Sequence, residues 1–453
     1  MVSARLTPRA VFMQSWPIML ANAAGPVVGF VDTLIIGRYA GTAALAGIGL
    51  GAVIYGIVYW GFGFLRMSTA GLAAQSDGQG DERAVQAHAI RAVPIGLLIG
   101  TLVLIFHVPL LAGAFKIYTA QSGIEQSAGT YISARLWGLP ATLGTIALMG
   151  WFVGISRSQR ALQLSIVLNI VNIILSPIFV VGLGWGLWGV GLGSAIAEWC
   201  GLFAGLYFAA REIKSRGGFR AGALTKSVLL NPYDLRRLGV SNGNIFIRTL
   251  ALTFGFNFFG NAAASEGEVF LAGNHILLQF ITLSALVLDG FAHTAEAAVG
   301  KAFGSGRREA FDRAVKLTSY FSAGFAVLGG AIVIIGGPFL IAALSRDPAV
   351  INSAMTFLPY CALAPIVGFA AYQLDGIFIG ATATKQMRNA GIAAVIIYVG
   401  LHYLLQYGLG QTLSGHAIWL AFLGYYIARA VTLMAYYPGV KTAMSSPQLR
   451  SRS

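Results

Sequence analysis

Residues 162–183 read LQLSIVLNIVNIILSPIFVVGL. No Asp, Glu, Lys or Arg interrupts the run. A helix of about 20 such residues crosses a bilayer's hydrocarbon core of about 30 Å, whereas a barrel strand needs only about ten. Helices and closed barrels are the two structures that satisfy every backbone polar group in lipid. The length of the run therefore selects a membrane-spanning helix. Runs of the same kind lie near 10–37, 45–75, 90–113, 130–155, 188–210, 240–262, 270–300, 313–338, 355–382, 388–408 and 415–437. The chain is expected to be an all-α polytopic membrane protein of about twelve transmembrane helices.

Composition agrees with this. Apolar residues make up 57% of the 453 and charged residues only 10%, against about 25% charged in soluble domains. Arg5 and Arg9 ahead of an apolar run imitate a signal peptide. The run continues through Pro17 and Pro26 to Ile36, which is too long for a cleaved segment, so it reads as the first span. Cys200 and Cys361 stand alone in apolar runs and imply neither a disulfide framework nor a metal site.

The net charge of +14 suggests nucleic acid at first sight, but topology explains it better. With the N-terminus in the cytoplasm, most Lys and Arg fall on cytoplasmic segments. Examples are Arg157 and Arg160, the group from Arg211 to Arg237, the group from Lys301 to Lys316, and Lys385, Arg388, Lys441, Arg450 and Arg452. Arg38, Lys116 and Arg346 fall outside. This asymmetry follows the positive-inside rule and puts both termini in the cytoplasm of a bacterial cell, at its inner membrane. No nucleic-acid partner is expected.

The longest basic, polar stretch, 211–237, reads as a cytoplasmic linker between a six-helix lobe at 1–210 and a second lobe with a short tail at 238–453. The two lobes repeat. A shift of 226 places Gly78 and Gly80 on Gly304 and Gly306, Gly150 and Gly154 on Gly376 and Gly380, Phe152 on Phe378, and Gly189 on Gly415. With an even number of spans in each half, the repeats are parallel, an architecture common in secondary transporters. The Gly-x-Gly pairs lack the GK[ST] and the preceding strand of a nucleotide loop, and read as tight turns. No ATP site, HExxH, GxSxG or zinc spacing is present, so no catalytic residue, metal or other cofactor is expected. If transport is active, its energy would come from an ion gradient.

Charges at membrane depth usually face a partner or a cavity. Asp32, in GFVDTLIIG, has no charged neighbour at helical spacing on its own span, and can serve as a proton carrier or as a carboxylate held by an Arg or by hydroxyls such as Thr33. On the fifth span Asn169, Asn172 and Ser176 share one face, and Pro177 is expected to kink the helix behind them. Ser194 and Glu198 share a face of the sixth. If these faces meet Asp32, they form a polar nest within the first lobe; otherwise they are interhelical hydrogen bonds. In the second lobe Asp289 and Glu296 share a face with His293 between them, and Asp375 lies on the tenth span. Asp289 and Glu296 read either as a second ion site or as structural partners of Arg66 or Arg248, the cations placed well inside spans, and Asp375 is a further candidate coupling acid. Arg135 and Arg429 fall within or at the edge of spans.

The stretches GFVDTLIIGR, FLRMSTAGLAAQSDGQG, LNIVNIILSPIFVVGLGWG, GVGLGSAIAEW, LVLDGFAHTAEAAVGKAFG and LDGIFIGATATKQMRN together resemble the multidrug and toxic compound extrusion (MATE) family. Within it they are similar to the DNA-damage-inducible protein F (DinF) branch. The resemblance runs from about 10 to 437. It implies two six-helix lobes around a V-shaped central cavity, and cation-coupled antiport of organic cations or amphiphiles. The branch's first-helix Asp matches Asp32, the family's fifth-helix Asn matches Asn172, and Ser194 stands where the family has a sixth-helix Thr. Many members carry a second Asp where this chain has Ser176. A single carboxylate suits a proton better than Na⁺, which wants several oxygen ligands and compensating charge. The expectation is H⁺-coupled export through Asp32, tuned by Asn169, Asn172, Ser176 and Ser194, in a carrier that can work as a monomer. A Na⁺-coupled relative and a flippase of a lipid-linked or amphiphilic metabolite are the alternatives. Trp16, Tyr55, Tyr59, Trp60, Phe62, Met67, Met149, Phe280 and Phe378 are candidates for apolar substrate contact.

Overall fold

The computed structural model describes residues 6–39, 41–118, 121–220, 225–409 and 414–444. Arg5 of the apparent signal peptide, and Arg450 and Arg452, used above to orient the chain, lie outside the described residues. Every described element is helical. In order these are α1 (Pro8–Tyr39), α2 (Gly41–Gly61), α3 (Phe64–Gln79), α4 (Glu82–Ile105), α5 (His107–Tyr118), α6 (Ser122–Arg135), α7 (Leu139–Gly154), α8 (Ser158–Pro177) and α9 (Gly186–Ser215). They continue as α10 (Lys226–Leu229), α11 (Pro232–Ser265), α12 (Glu268–Gly304), α13 (Arg308–Leu344), α14 (Pro348–Gly380), α15 (Thr384–Leu409) and α16 (Ser414–Ala443).

Among the described residues, 11 segments are long and apolar enough to cross a membrane. The expected span at 240–262 is absent from that set, though it lies inside the 34-residue helix α11. Arg248, Asn257 and Asn261 lower its hydropathy without shortening it. Other expected spans prove composite. Residues 44–79 form one crossing segment broken near Phe62 and Gly63, and Ser122–Gly154 joins α6 to α7 through a 3₁₀ turn, Leu136–Gly138. Phe339 and Ile335 on α13 are 78% and 71% exposed, an outward face that fits lipid rather than water.

By internal packing the chain divides into two compact units, one comprising Leu20–Gly239 and the other Met1–Met19 with Val240–Ser453. We call them the first and second lobes. The boundaries differ from those read in the sequence at both ends of the first lobe. Residues 6–19 pack with the second lobe: the Ser15 and Thr294 hydroxyls meet at 2.7 Å, and Arg313 donates to the Leu6 carbonyl at 2.7 Å. The described residues of the basic stretch 211–237 are bound to the first lobe. Arg216 pairs with Asp77 and Glu82, Arg91 pairs with Asp234 at 2.8 Å, and Arg237 donates to Gln75 at 2.8 Å.

The repeat is physical. Gly80 and Gly306 follow α3 and α12 with φ of 74° and 66°. Ser156 and Thr382, the described non-glycine residues at positive φ, have φ of 60° and 53° and are again 226 apart. In the first lobe a side chain at Gly150 would overlap the Arg66 carbonyl, and one at Gly154 would lie 2.5 Å from the Ala70 carbonyl. In the second lobe Gly376 meets the Ala292 carbonyl in the same way, and Gly380 would place its carbon 2.5 Å from that of Glu296. Each partner is also shifted by 226. Close backbone approach through small residues is how helices associate in lipid, where apolar burial gives no drive. Thus α3 packs on α7, and α12 on α14, through one duplicated glycine contact.

Candidate functional site

The polar nest of the first lobe is assembled from α1, α6, α8 and α9. Asp32 on α1 is 2% exposed, Asn172 and Ser176 on α8 are 3% and 0%, and Ser194 on α9 is 2%. The Ser176 hydroxyl donates to Asp32 Oδ1 at 2.9 Å, and Asn172 Nδ2 donates to Ser194 Oγ at 2.8 Å. Gly193 lets α9 approach α8 here, its missing side chain lying 3.3 Å from the Ser176 amide nitrogen. Behind Ser176 the α-helix gives way at Pro177 to a π turn, Ile178–Gly182. Proline removes a donor and widens the next turn, so the helix axis changes next to the nest.

Two of the candidate partners turn away from Asp32. Asn169 donates to the Ser165 carbonyl of its own helix at 2.6 Å. Thr33 donates to the Gly29 carbonyl at 2.7 Å, so its hydroxyl proton is not given to Asp32. Asn169 Oδ1 and Asn172 Oδ1 are buried without a hydrogen-bond donor.

Sequence reasoning underrated Arg135. The residue ends α6, where the crossing segment passes through its 3₁₀ turn. Arg135 Nη1 donates to the Tyr131 hydroxyl at 2.8 Å and to Ser194 Oγ at 3.1 Å. Its guanidinium lies 4.3 Å from the centre of the Tyr55 ring, and Tyr55 is held by Thr142 at 3.1 Å. Asp32 and Glu198 both lie within Coulombic reach of it. Gly138 and Pro140 just beyond it were the available signal: a glycine and a proline inside an apolar run mark a break, and a break admits a polar side chain.

In the second lobe Asp375 is held by two arginines. Asp375 on α14 accepts from Arg429 on α16 at 2.8 Å and from Arg248 on α11. Arg429, 4% exposed, also lies over the Tyr372, Tyr425 and Tyr426 rings at 5.5, 5.8 and 5.7 Å. Asp289 lies within Coulombic reach of Arg248. Glu296 is 0% exposed on α12, where its carbonyl meets Gly380. Arg248 therefore has Asp375 as its ion-pair partner, and Arg429 belongs inside a helix rather than at its edge. Among the aromatic candidates, Phe378, Phe280 and Tyr55 are 0%, 5% and 5% exposed and serve packing or Arg135, whereas Trp60 is 64% exposed. No group of His, Cys, Asp or Glu among the described residues has the arrangement of a metal site.

Comparison with known proteins fits this arrangement. The MatE family model matches the chain twice, at 17–178 and 245–406, once in each half. DNA damage-inducible protein F of Escherichia coli K12 is 29% identical over 429 residues, covering 95% of this chain and 92% of that protein. A probable multidrug resistance protein NorM of Bradyrhizobium diazoefficiens is 27% identical, covering 89% and 78%. A solved transporter of the MOP superfamily from Pyrococcus furiosus, described as having a binding pocket of reverse polarity, superposes with a TM-score of 0.83 at 18% identity, covering 98% of each chain. With its fold, its internal duplication and both halves matched, the chain belongs to the MatE family of membrane transporters.

Proposed function

We propose that this transporter is an H⁺-coupled antiporter that exports organic cations or amphiphilic toxic compounds, with Asp32 as the proton carrier. The observation that carries the reading is the contact between Asp32 and Ser176. The nest has one carboxylate on α1, and its partner on α8 is a hydroxyl rather than a second acid. A buried carboxyl met by a hydroxyl accepts and releases a proton without needing further ligands. When ionised it attracts a cation into the first lobe, and when protonated it ceases to. Each ligand then shifts the conformational equilibrium by its differential affinity for the two states.

One observation favours Na⁺ instead. The two bare amide oxygens, Asn169 Oδ1 and Asn172 Oδ1, are acceptors of the kind a hard cation takes. A flippase for an anionic lipid headgroup gains less support, because Arg248 and Arg429 are both engaged by Asp375. The export direction and the substrate class rest on similarity to the NorM and DNA damage-inducible proteins and on the acid in the first lobe.

The test is efflux of a fluorescent lipophilic cation from proteoliposomes under an imposed pH gradient or an imposed Na⁺ gradient. Efflux under the pH gradient alone, lost in Asp32→Asn, is the expected result. Efflux under Na⁺ alone would contradict proton coupling.

A further inference from the structure

Arg135 is a full positive charge placed at the nest by the chain itself. It cannot be deprotonated at accessible pH, and it stands in the last turn of α6, where the segment passes into its 3₁₀ turn. Its hydrogen bonds go to Tyr131 and Ser194 and its flat face to Tyr55. None of these partners is a carboxylate, and Nε is buried without a partner. The guanidinium is thus held by hydroxyls and rings, within electrostatic reach of two acids, Asp32 and Glu198.

That placement decides what else fits. A hydroxyl oxygen has two acceptor positions. At Ser194 they are taken by Asn172 Nδ2 and Arg135 Nη1. The sixth-helix hydroxyl therefore has no lone pair left for a metal cation. A Na⁺ ion between Asp32 and Asn172 would stand beside a fixed like charge in a water-poor interior, where repulsion is strong. A proton on Asp32 meets neither obstacle, because it resides on the carboxyl oxygen and leaves Arg135 on the partners it already has.

We propose that Arg135 is the resident cation of the first-lobe site: seated on Tyr55, Tyr131 and Ser194 beside Asp32 and Glu198, it fills the position of positive charge that Na⁺ would need and so restricts the site to protons. Arg135 is a selectivity and positioning residue, acting through Asp32 rather than carrying the proton. The titratable and charged groups around it are Asp32 on α1, Tyr55 and Tyr59 on α2, Arg66 on α3, Tyr131 on α6 and Glu198 on α9. The inference rests on the proton-coupled reading above.

The test compares wild type, Arg135→Gln and Arg135→Lys in proteoliposomes loaded with a fluorescent lipophilic cation. Wild type should respond to pH and not to Na⁺. Arg135→Gln should gain Na⁺-driven efflux, and its pH profile should differ from that of wild type, because a neighbouring cation favours an ionised carboxylate. Arg135→Lys keeps the charge and should remain indifferent to Na⁺. An Arg135→Gln protein with the wild-type pH profile and no Na⁺ response overturns the inference while leaving proton coupling intact, as does Arg135→Lys behaving like Arg135→Gln. A wild type without pH-driven efflux overturns the underlying reading itself. Should Arg135→Gln fail to fold, the thermal stability of wild-type protein in Na⁺ and in K⁺ still decides. A Na⁺-specific stabilisation that disappears in Asp32→Asn would contradict the inference, and equal stability in the two salts supports it.

Discussion

Ser176 on α8 gives its hydroxyl proton to Asp32 on α1 at 2.9 Å, fastening a helix that ends in a π turn to the helix that carries the buried acid. A donor to a carboxylate supports its ionised form. The same bond fixes the distance between two elements that must move if protonation is to change the lobe. Ser176→Ala removes the donor and leaves the rest of the nest in place. The variant should fold, lose about 1 kcal/mol of stability, and show an efflux pH profile displaced to higher pH. Thermal unfolding in detergent and efflux across a pH series measure the two effects. A profile identical to that of wild type would mean that Ser176 does not act on the coupling group.

The duplicated glycine contact makes a prediction for each lobe. Gly150→Ala and Gly376→Ala each push a methyl into a neighbouring helix's carbonyl, at Arg66 and Ala292. Each should cost about 2 kcal/mol through overpacking. Gly324→Ala on α13 meets nothing within 4 Å and should be neutral or slightly stabilising. Apparent melting temperatures of the three variants, prepared in parallel, check the ranking.

Asp375 holds two arginines, so removing it is worse than removing either of them. Asp375→Asn leaves Arg248 and Arg429 facing each other without their shared carboxylate, and should destabilise the second lobe by about 3 kcal/mol or more. Arg429→Met keeps the bond from Arg248 and replaces a stacked guanidinium by an apolar chain among Tyr372, Tyr425 and Tyr426, so the loss should be smaller. The yield of monodisperse protein and its melting temperature separate the two. Equal losses would show that Arg429 alone secures Asp375.

The basic segment 211–237 should behave as a strap rather than a free linker. Arg216 is the clasp, paired with both Asp77 and Glu82. The Gln86 amide adds a bond to the Gly218 carbonyl at 3.0 Å and accepts one from the Arg220 amide at 3.1 Å. Arg216→Ala should release the segment. Limited trypsin treatment of the purified protein should then cut at Arg220 several-fold faster than in wild type, while the lobes themselves resist. An unchanged cleavage rate would show that the other bonds suffice.

The helical membrane fold was legible because its cause is local: apolar run length and the absence of charge. The duplication was legible at Gly150, Gly154, Gly376 and Gly380, since a residue without a side chain is required wherever two backbones touch. At 240–262 a helix of the expected length is present, but Arg248 and the asparagines weaken its apolar signal and it is not among the segments apolar enough to cross a membrane. Asn172, Ser176 and Ser194 could be placed on helix faces by spacing alone. Which hydroxyl meets which acid could not, because that depends on how α8 and α9 rotate against α1 and α6. Asn169 shows the limit: it shares a face with Asn172, yet bonds to its own helix. Arg135 was hard to read because an arginine at a span edge ordinarily reaches for the interface. Its burial follows from a 3₁₀ turn signalled only by Gly138 and Pro140. Asp375 was visible as a charge at membrane depth, but its partners lie 127 and 54 residues away in sequence, beyond any helical spacing.

The central claim is that proton and substrate compete through Asp32. The most direct measurement is calorimetric titration of the purified protein with a lipophilic cation in two buffers of different ionisation enthalpy. Run at a pH where Asp32 is partly protonated, the titration reports how many protons leave when substrate binds. The account predicts net proton release in wild type, no release in Asp32→Asn, and no dependence of either on replacing K⁺ by Na⁺. Substrate binding without proton release in wild type, or release that persists in Asp32→Asn, would contradict it.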